Sequence, residues 1–412
     1  MVPKGWEKNS LDSLFEFKNG LNTEKEQYGN GYKFVNVMDV FRNDILTESK
    51  IIGRVQVTDK QLEGYQLKYG DVLFNRTSET FDEIAIAAIY LDNAIATFGG
   101  FVIRARPKGN QIDPAYSVFL FQSKSYRSQV VKLGQGAIRA NIGQKDLARV
   151  CILVPPLAEQ KKIAQILSTW DKAISVTEKL LTNRQQQKKA LMQQLLTGKK
   201  RLLDENGVRF RGEWQRVKLG AIADMNSGGT PKSTVEEYYG GNIPWVSISD
   251  MTSNGKWIAT TEKYLTELGL NSSSARIYPK NSVLYAMYAS IGECSIAAVN
   301  LTSSQAILGI RPKDCLNYEF LYFYLTSLKE KIKLQGQQGT QSNLNAGMVK
   351  EFELDLPSIR EQQKIAAVLS VADAEISTLE KKLACLRDEK KALMQQLLTG
   401  KRRVKVDEAV AE

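Results

Sequence analysis

The sequence predicts an α+β protein in which two mixed α/β domains are separated by two long helices, and these helices form an antiparallel coiled coil with pseudo-two-fold symmetry. Three observations predict this fold. The dodecamer KKALMQQLLTGK occupies residues 188–199 and recurs unchanged at residues 390–401. Apolar residues precede each copy at alternating steps of four and three. Runs of β-type residues, separated by polar loops, lie upstream of each helical region. A repeat of this length indicates internal duplication.

The duplication divides the chain into four segments. Residues 155–199 match residues 357–401 with 26 identities in 45 positions. Further upstream the resemblance fades, although the order of motifs persists. We therefore assign residues 1–154 and 209–356 to two related domains, residues 155–208 to the first helix, and residues 357–412 to the second helix and a C-terminal tail. Because the domains share a scaffold but differ in sequence, we expect them to bind two different targets.

The apolar spacing of the helical segments is the heptad pattern of a coiled-coil seam. A proline and a glutamate stand at each helix start, and Thr-Gly follows each helix end. A simple helical linker is the alternative, but duplication favours two helices that pack antiparallel on each other. The predicted seam residues are Ile163, Leu167, Trp170, Ile174, Leu181, Ile365, Leu369, Ile376, Leu379, Leu383 and Leu386.

Each predicted domain combines strands, one helix and a polar loop. Runs such as KFVNV at 33–37 and DVLF at 71–74 are typical of strands. A helix is predicted near 115–132 and another near 317–334, and their aromatic residues fit a core better than a base-stacking platform. The loops GQGAIRANIG at 134–143 and GQQGTQSNLN at 336–345 follow. Their side chains can hydrogen-bond base edges and phosphates, although ordinary solvated loops would have similar compositions.

The composition favours a binding protein over an enzyme. A net charge of +11 favours an acidic partner such as nucleic acid. The chain has no histidine, which removes the commonest general base and metal ligand. The four cysteines have no paired spacing, the apolar runs are too short to span a bilayer, and the first residues lack a signal-peptide pattern. We therefore expect a cytoplasmic protein without catalytic or metal-binding residues, which leaves catalysis to a partner.

The duplicated motif P-x3-E-Q-x-K-I-A, in PPLAEQKKIAQILS and PSIREQQKIAAVLS, together with the repeated dodecamer, resembles the specificity subunit of type I restriction–modification enzymes. The resemblance covers essentially the whole chain. It implies that two target-recognition domains each read one half of a bipartite, asymmetric site in double-stranded DNA. It also implies that the coiled coil sets the spacing between the half-sites and docks two modification (methyltransferase) subunits, which two restriction (motor-nuclease) subunits can join.

The resemblance implies no cofactor in this chain and no membrane partner, and it assigns S-adenosylmethionine, ATP and magnesium to the partner subunits. It does not transfer base-contacting residues, so the candidates come from the polar loops. The predicted DNA-binding residues are Lys18, Asn19, Asn75, Arg76, Arg139 and Asn141 in the first domain, and Ser227, Thr230, Lys232, Tyr288, Ser290, Gln341 and Asn343 in the second. The alternative function is a coiled-coil adaptor whose domains bind proteins and do not read DNA sequence.

Overall fold

The computed structural model describes residues 2–136, 139–288, 290–337 and 344–406. The chain forms two compact units. The first unit comprises Met1–Glu178 and Lys381–Glu412, and the second unit comprises Lys179–Glu380. Each unit therefore contains one α/β segment, the beginning of the long helix that follows this segment, and the end of the other long helix. Both divisions between the units fall inside the long helices.

The first unit is built around a five-stranded sheet. The strands of the whole unit are β1 (Glu7–Ser10), β2 (Phe15–Asn19), β3 (Tyr28–Val35), β4 (Ile45–Leu46), β5 (Arg54–Val55), β6 (Val72–Asn75), β7 (Thr77–Ser78), β8 (Ala87–Tyr90), β9 (Ala96–Phe98), β10 (Val102–Pro107), β11 (Ala140–Asn141) and β12 (Cys151–Val154). Its helices are α1 (Leu11–Leu14), α2 (Val37–Arg42), α3 (Asp59–Tyr65), α4 (Pro114–Leu120), α5 (Lys124–Leu133), α6 (Gln144–Ala148) and the first part of α7 (Leu157–Leu195). The large sheet has the order β2-β10-β6-β8-β4, and the smaller sheets are β5-β3-β9, β1-β12 and β11-β7.

Both faces of this large sheet are buried, because successive side chains of a strand point to opposite faces. Val72 and Phe74 of β6 belong to one apolar cluster, which also contains Tyr116 of α4 and Ile163 of α7. Leu73, between them, belongs to a second cluster that lies on the opposite face. The sheet is therefore a central layer with an apolar cluster on each face.

The second unit repeats this architecture. Its strands are β13 (Gln215–Lys218), β14 (Ala223–Ser227), β15 (Tyr239–Val246), β16 (Trp257–Ile258), β17 (Lys263–Leu265), β18 (Val283–Ala286), β19 (Cys294–Ala297), β20 (Thr302–Ser303), β21 (Ile307–Pro312) and β22 (Glu353–Leu356). Its helices are α8 (Leu219–Ile222), α9 (Ile248–Asn254), α10 (Glu267–Asn271), α11 (Tyr318–Gln337), α12 (Ala346–Lys350) and the first part of α13 (Ile359–Leu397). The large sheet has the order β14-β21-β18-β19-β16, beside β17-β15-β20 and β13-β22.

The two units differ at the helix that follows the large sheet. The second unit has the single helix α11, as the sequence predicts, whereas the first unit has α4 and α5 in place of one helix near 115–132. Ser123 explains the interruption, because its side chain accepts a hydrogen bond from the backbone N–H of Tyr126 and caps α5 as a new helix.

The helices α7 and α13 each span 39 residues and run antiparallel. In the first unit, Glu178 of α7 pairs with Arg387 of α13 at 2.7 Å, and the earlier residue Asp171 pairs with the later residue Lys390. The second unit shows the same order in its own parts of the helices, where Arg184 pairs with Glu375 and Lys188 pairs with Asp373. Within each unit, the later residue of α7 pairs with the earlier residue of α13, so the predicted antiparallel packing is confirmed.

The predicted seam residues are buried or half-buried. Ile163 and Leu167 join the core of the first unit, and Ile365 and Leu369 join the core of the second. Each helix therefore begins inside the core of the domain that precedes it. The remaining predicted seam positions are Trp170, Ile174, Leu181, Ile376, Leu379, Leu383 and Leu386, of which Leu383 is buried and the others are half-buried.

Candidate nucleic-acid interface

One edge of the large sheet in the first unit gathers most of the DNA-binding residues predicted in the first domain. The strand β10 runs antiparallel to both β2 and β6, with Asn19 opposite Ile103 and Asn75 opposite Val102. The ends of β2 and β6 therefore meet the start of β10 at a common edge. The polar loop after α5 joins this edge, because β11 pairs with β7. We call this edge the first rim, and its residues are Asn19, Asn75, Arg76, Thr77, Phe101, Arg139 and Asn141.

Two predicted residues at or beside this edge donate hydrogen bonds inside the unit, although Oδ1 of Asn75 has no partner among the described residues. The Nζ of Lys18 donates to the carbonyl of Gly64 at 2.7 Å, and it lies 4.4 Å from the ring centroid of Tyr65. Asn75 is fully buried, and its Nδ2 donates to the carbonyls of Thr77 and Glu83 at 3.2 and 3.0 Å. These contacts hold the backbone around the rim in place.

The other four predicted residues of the first rim are exposed. Asn19 ends β2, and Arg76 follows β6 directly. Arg139 and Asn141 reach the same edge through the loop, where Asn141 stands opposite Thr77 and its Nδ2 donates to the carbonyl of Arg139 at 2.9 Å. The guanidinium and amide groups of these side chains can hydrogen-bond base edges and phosphates.

The second unit forms an equivalent edge, the second rim, with different side chains. Ser227 at the end of β14 lies opposite Leu308, and Ala286 at the end of β18 lies opposite Ile307. Ser227 is exposed at the end of its strand. The residues that follow these strand ends include the exposed Thr230, Lys232 and Tyr288 and the half-buried Ser290. Gln341 and Asn343 lie outside the described residues.

Corresponding backbone hydrogen bonds show that the two rims are equivalent. The N–H of Ile142 donates to the carbonyl of Arg76 at 3.0 Å in the first unit. The N–H of Leu344 donates to the carbonyl of Met287 at 3.2 Å in the second. In both units, the carbonyl of the residue that follows the central strand (β6 or β18) therefore accepts a hydrogen bond from the end of the polar loop. The two rims share this backbone arrangement but carry different polar side chains.

The second unit contains a basic groove whose residues were not among the predicted DNA-binding residues. Arg276, Arg311 and Lys350 line a cavity of about 530 Å³ that also contains Asp224. Arg106 occupies the equivalent position to Arg311 in the first unit and pairs with Asp71 at 2.7 Å. The second unit has Ser282 in place of Asp71, so Arg311 has no carboxylate partner among the described residues. The change from DVLF to SVLY was the signal in the sequence.

The duplicated Glu-Gln pair anchors each long helix to its domain. Glu159 is buried and accepts hydrogen bonds from Trp6 Nε1 at 2.9 Å and from Arg403 Nε at 2.7 Å. The amide of Gln160 accepts from the N–H of Asp113 and donates to the carbonyl of Pro155, both at 2.8 Å. Glu361 and Gln362 make the corresponding contacts in the second unit, with Trp214, Arg201, Asn317 and Pro357.

The family of the chain follows from its sequence. The model of the type I restriction modification DNA specificity domain matches residues 3–183 and 211–386. The chain belongs to the type I restriction–modification specificity family. The two matched segments contain its two target-recognition domains, and the predicted family and fold class are confirmed.

One relative of this family aligns over nearly the whole chain, and another aligns over part of it. A type I restriction enzyme specificity subunit of Methanocaldococcus jannaschii, MjaX, is 25% identical over 421 residues, which cover 98% of this chain and 95% of the relative. The MjaIX specificity subunit of the same organism is 36% identical over 172 residues, or 41% of this chain and 40% of the relative. The fold is similar to the crystal structure of the type I S subunit from M. genitalium, with a TM-score of 0.58, 17% identity and 96% coverage of each chain.

A half-buried lysine, Lys256, joins the second target-recognition domain to its part of the long helices. Lys256 lies 4.6 Å from the ring centroid of Phe323, and it pairs with Glu319 at 3.6 Å. Its Nζ also donates to the hydroxyl of Ser370 on α13 at 2.8 Å. Burial lowers the pKa of Lys256, while the Glu319 carboxylate acts in the opposite direction. This contact fixes the domain on the helix.

The described residues show neither a membrane-spanning helix nor a metal-binding cluster. No helix among them combines the length and apolar character needed to cross a membrane. The described residues contain no group of three or more histidine, cysteine, aspartate or glutamate side chains placed to hold a metal ion. The four cysteines are not joined in disulfides.

Proposed function

We propose that each target-recognition domain reads one half of a bipartite, asymmetric sequence in double-stranded DNA, and that the chain itself is not catalytic. The observation that carries this proposal is the pair of equivalent rims with unlike side chains. The first rim presents Arg76, Arg139 and Asn141, whereas the second presents Thr230 and Tyr288. Because base identity is read by the donors and acceptors that a protein presents, two unlike rims select two unlike half-sites.

The basic groove of the second unit supplies contacts to the DNA backbone. Its three cations are Arg276, Arg311 and Lys350. Cations on a DNA-binding surface bind phosphates and contribute affinity without base selectivity. The groove lies beside the end of β14, because Asn226 of β14 is both one of its lining residues and the neighbour of Ser227 in the second rim.

The long helices dock two copies of one modification subunit and set the spacing between the half-sites. The support is the exposed part of the repeated dodecamer. Lys189, Ala190, Gln193 and Gln194 are exposed on α7, and so are the identical residues Lys391, Ala392, Gln395 and Gln396 on α13. Exposed positions do not need identical residues for folding, whereas two copies of one partner need two identical surfaces.

The catalytic chemistry belongs to the partners in this proposal. Two modification subunits bind S-adenosylmethionine and methylate adenine, and two restriction subunits that use ATP and magnesium can join the complex. This chain binds none of these cofactors itself, and the complex acts in the cytoplasm.

The test is to map methylated adenines in a methylation-free host that expresses this chain with its modification subunit. We expect one motif with two unlike specific halves around a fixed unspecified spacer. Cells that express the modification subunit alone are the control and should show no such motif. A continuous motif would contradict the proposal. If the complex assembles but shows no sequence preference, the chain is a coiled-coil adaptor instead.

A further inference from the structure

Phe101 is an exposed aromatic residue at the centre of the first rim. It directly precedes β10, and its side chain is 63% exposed, more than any other aromatic side chain among the described residues. Its carbonyl accepts a hydrogen bond from the N–H of Arg76 at 2.9 Å. Phe101 therefore lies next to one of the exposed side chains to which we assign DNA contacts. Among the described residues, Phe101 belongs to neither apolar cluster of this unit.

The backbone that carries Phe101 makes close contacts, and the contact at Gly20 with the Gly99 backbone leaves no space for a Cβ. A Cβ at Gly20 would lie 2.0 Å from the carbonyl oxygen of Gly99, and a Cβ at Gly100 would lie 2.1 Å from Oδ1 of Asn22. The N–H of Val102 also donates to the carbonyl of Gly99 at 2.9 Å. These contacts fix the turn before β10 and therefore the position of the backbone that carries the ring.

The second unit shows that this turn does not require an aromatic residue. The N–H of Met287 donates to the carbonyl of Ala306 at 2.9 Å, as the N–H of Arg76 does to Phe101. Ala306 is therefore the structural equivalent of Phe101, and it builds the same strand start with a methyl group. The phenyl ring is thus specific to the first rim, and a ring that stays exposed to water does not stabilise the folded state.

We propose that Phe101 makes direct apolar contact with the bases of the first half-site. This inference rests on the proposed function of the first rim. An exposed phenyl ring at a DNA-binding edge can pack against the methyl group of thymine, or it can enter a base step as a wedge. Both are apolar contacts with bases, and both make Phe101 a determinant of sequence in the first half-site alone.

The experiment compares three alanine variants in the complex with the modification subunit, on a fluorescent duplex that carries the mapped motif. Phe101→Ala should weaken binding roughly tenfold, because specific base contacts contribute at about this level. Tyr69→Ala is the matched control, since Tyr69 is 55% exposed and lies at the opposite end of β6. Arg76→Ala tests the rim itself. Phe101→Leu should recover part of the affinity, and Phe101→Asn should not.

Two modified duplexes distinguish the kinds of base contact. Uracil in place of thymine removes the methyl group, and 2-aminopurine gains fluorescence when a neighbouring base step opens. At one or more positions of the first half-site, the wild-type complex should bind the uracil duplex less tightly or increase the 2-aminopurine signal. Phe101→Ala should lose that response. In the Phe101→Ala complex, the sequence of the second half of the methylated motif should be unchanged.

The outcomes separate this inference from the proposed function. If Phe101→Ala behaves like Tyr69→Ala while Arg76→Ala is impaired, Phe101 does not contact bases and the first rim still reads DNA. If none of the three variants changes affinity or motif, the assignment of DNA reading to the first rim fails as well. A loss in Phe101→Ala accompanied by a lower unfolding temperature would overturn the inference, because it would assign the ring a role in folding.

Discussion

Arg403 donates two hydrogen bonds to Glu159, from Nε to Oε1 at 2.7 Å and from Nη2 to Oε2 at 2.9 Å. Arg201 makes the same two-bonded contact with Glu361, at 2.6 and 2.7 Å. Each arginine follows the end of one long helix, and each glutamate lies in the first turn of the other. Within each unit, the pair therefore joins the end of one helix to the start of its antiparallel partner.

Removing either arginine should destabilise its own unit. Arg403→Ala leaves Glu159, which is 4% exposed, with the Trp6 indole and no cation. An unsatisfied buried polar group costs about 1–3 kcal/mol. The side chain of Arg201 is 21% exposed and that of Arg403 is 44% exposed, so Arg201→Ala should cost more because less water can replace the guanidinium. Thermal unfolding of the purified chain measures both effects.

Arg402→Ala is the matched control, since Arg402 is exposed and no ion pair of its side chain appears among the described residues. It should leave the unfolding temperature unchanged. Adding Glu159→Gln to Arg403→Ala should recover part of the loss, because the neutral amide is less costly to bury than the carboxylate. Equal stability of Arg402→Ala and Arg403→Ala would show that the pair contributes nothing.

A circularly permuted chain should keep the fold and the DNA motif. In the second unit the backbone continues from Arg201 to Trp214, and Arg201 also donates to the carbonyl of Gly212 at 2.9 Å. In the first unit Arg403 donates to the carbonyl of Lys4 at 2.7 Å, so residues 4 and 403 lie together without a connection. A flexible linker from residue 406 to residue 2, with new ends at residues 206 and 207, should be tolerated because Gly207 lies in an exposed turn.

Methylation mapping checks the permuted chain, and new ends inside β6 provide the control. Those ends would cut the buried centre of the large sheet and should abolish folding. A permuted chain that folds but methylates a different motif would show that the contacts around Arg201 and Arg403 are not equivalent.

The sequence predicted the repeating architecture well because local patterns encode it. Heptad spacing indicates a partner helix, and duplication favours the other copy as that partner, so the pattern favoured the antiparallel pair over a simple helical linker. The rim residues were harder to choose. The sequence places Lys18 and Arg76 beside strand ends, but only the fold brings the Gly64 carbonyl to Lys18 and leaves Arg76 exposed.

The residues that sequence analysis missed depend on partners distant in the chain. Arg311 differs from Arg106 because a position about 30 residues earlier changed from Asp71 to Ser282. The turn before Phe101 lies against a second strand end, where a Cβ at Gly20 would be 2.0 Å from the carbonyl oxygen of Gly99. Neither relationship has a local period or spacing that a sequence pattern could reveal.

Exchanging the first target-recognition domain should change one half of the motif. A chimera with residues 1–154 taken from a relative of different specificity should acquire a new first half and keep the original second half. The reason is that the two rims belong to separate compact units, and separated sites contribute almost additively. Methylation mapping gives the result directly. The reciprocal exchange of residues 209–356 is the control, and simultaneous change of both halves in either chimera would refute independent reading.

Arg311→Ala should reduce the salt dependence of DNA binding. If Arg311 contacts one phosphate, its loss should lower the slope of log affinity against log salt by about 0.9 and weaken binding equally on all sequences. Fluorescence anisotropy between about 50 and 200 mM salt measures the slope. Arg216→Ala is the matched control, because this exposed arginine already pairs with Asp355 at 3.0 Å. A changed motif with an unchanged slope would assign Arg311 to base reading.

Lengthening both long helices together should lengthen the unspecified spacer. A heptad inserted after Arg184 in α7 and another after Ala374 in α13 keeps the pairs Arg184–Glu375 and Lys188–Asp373 on their own sides of the insertion. Seven residues add about 10.5 Å to a helix, close to three base pairs at ~3.4 Å. The preferred spacer should therefore grow by about three base pairs, while both half-sequences stay the same.

The rotation of the two units must also be considered. A heptad falls roughly 20° short of two full helical turns, so it nearly preserves the rotation of the protein parts. Three base pairs turn the DNA by almost a third of its ~10.5-base-pair repeat. The DNA must absorb this difference by twisting, so the longer site should be bound less tightly than the original complex binds its own site.

A single insertion of four residues after Arg184 is the informative comparison. It adds about 6 Å, or nearly two base pairs, and rotates the following seam by roughly 40° beyond one full turn. It also shifts Lys188 relative to Arg184 while Asp373 and Glu375 stay in register, so at least one of these ion pairs breaks. Longer spacing or lost binding is expected, and a thermal melt separates the two. If a folded double-heptad variant methylates the original motif at the original spacing, the helices tether the domains without setting their distance.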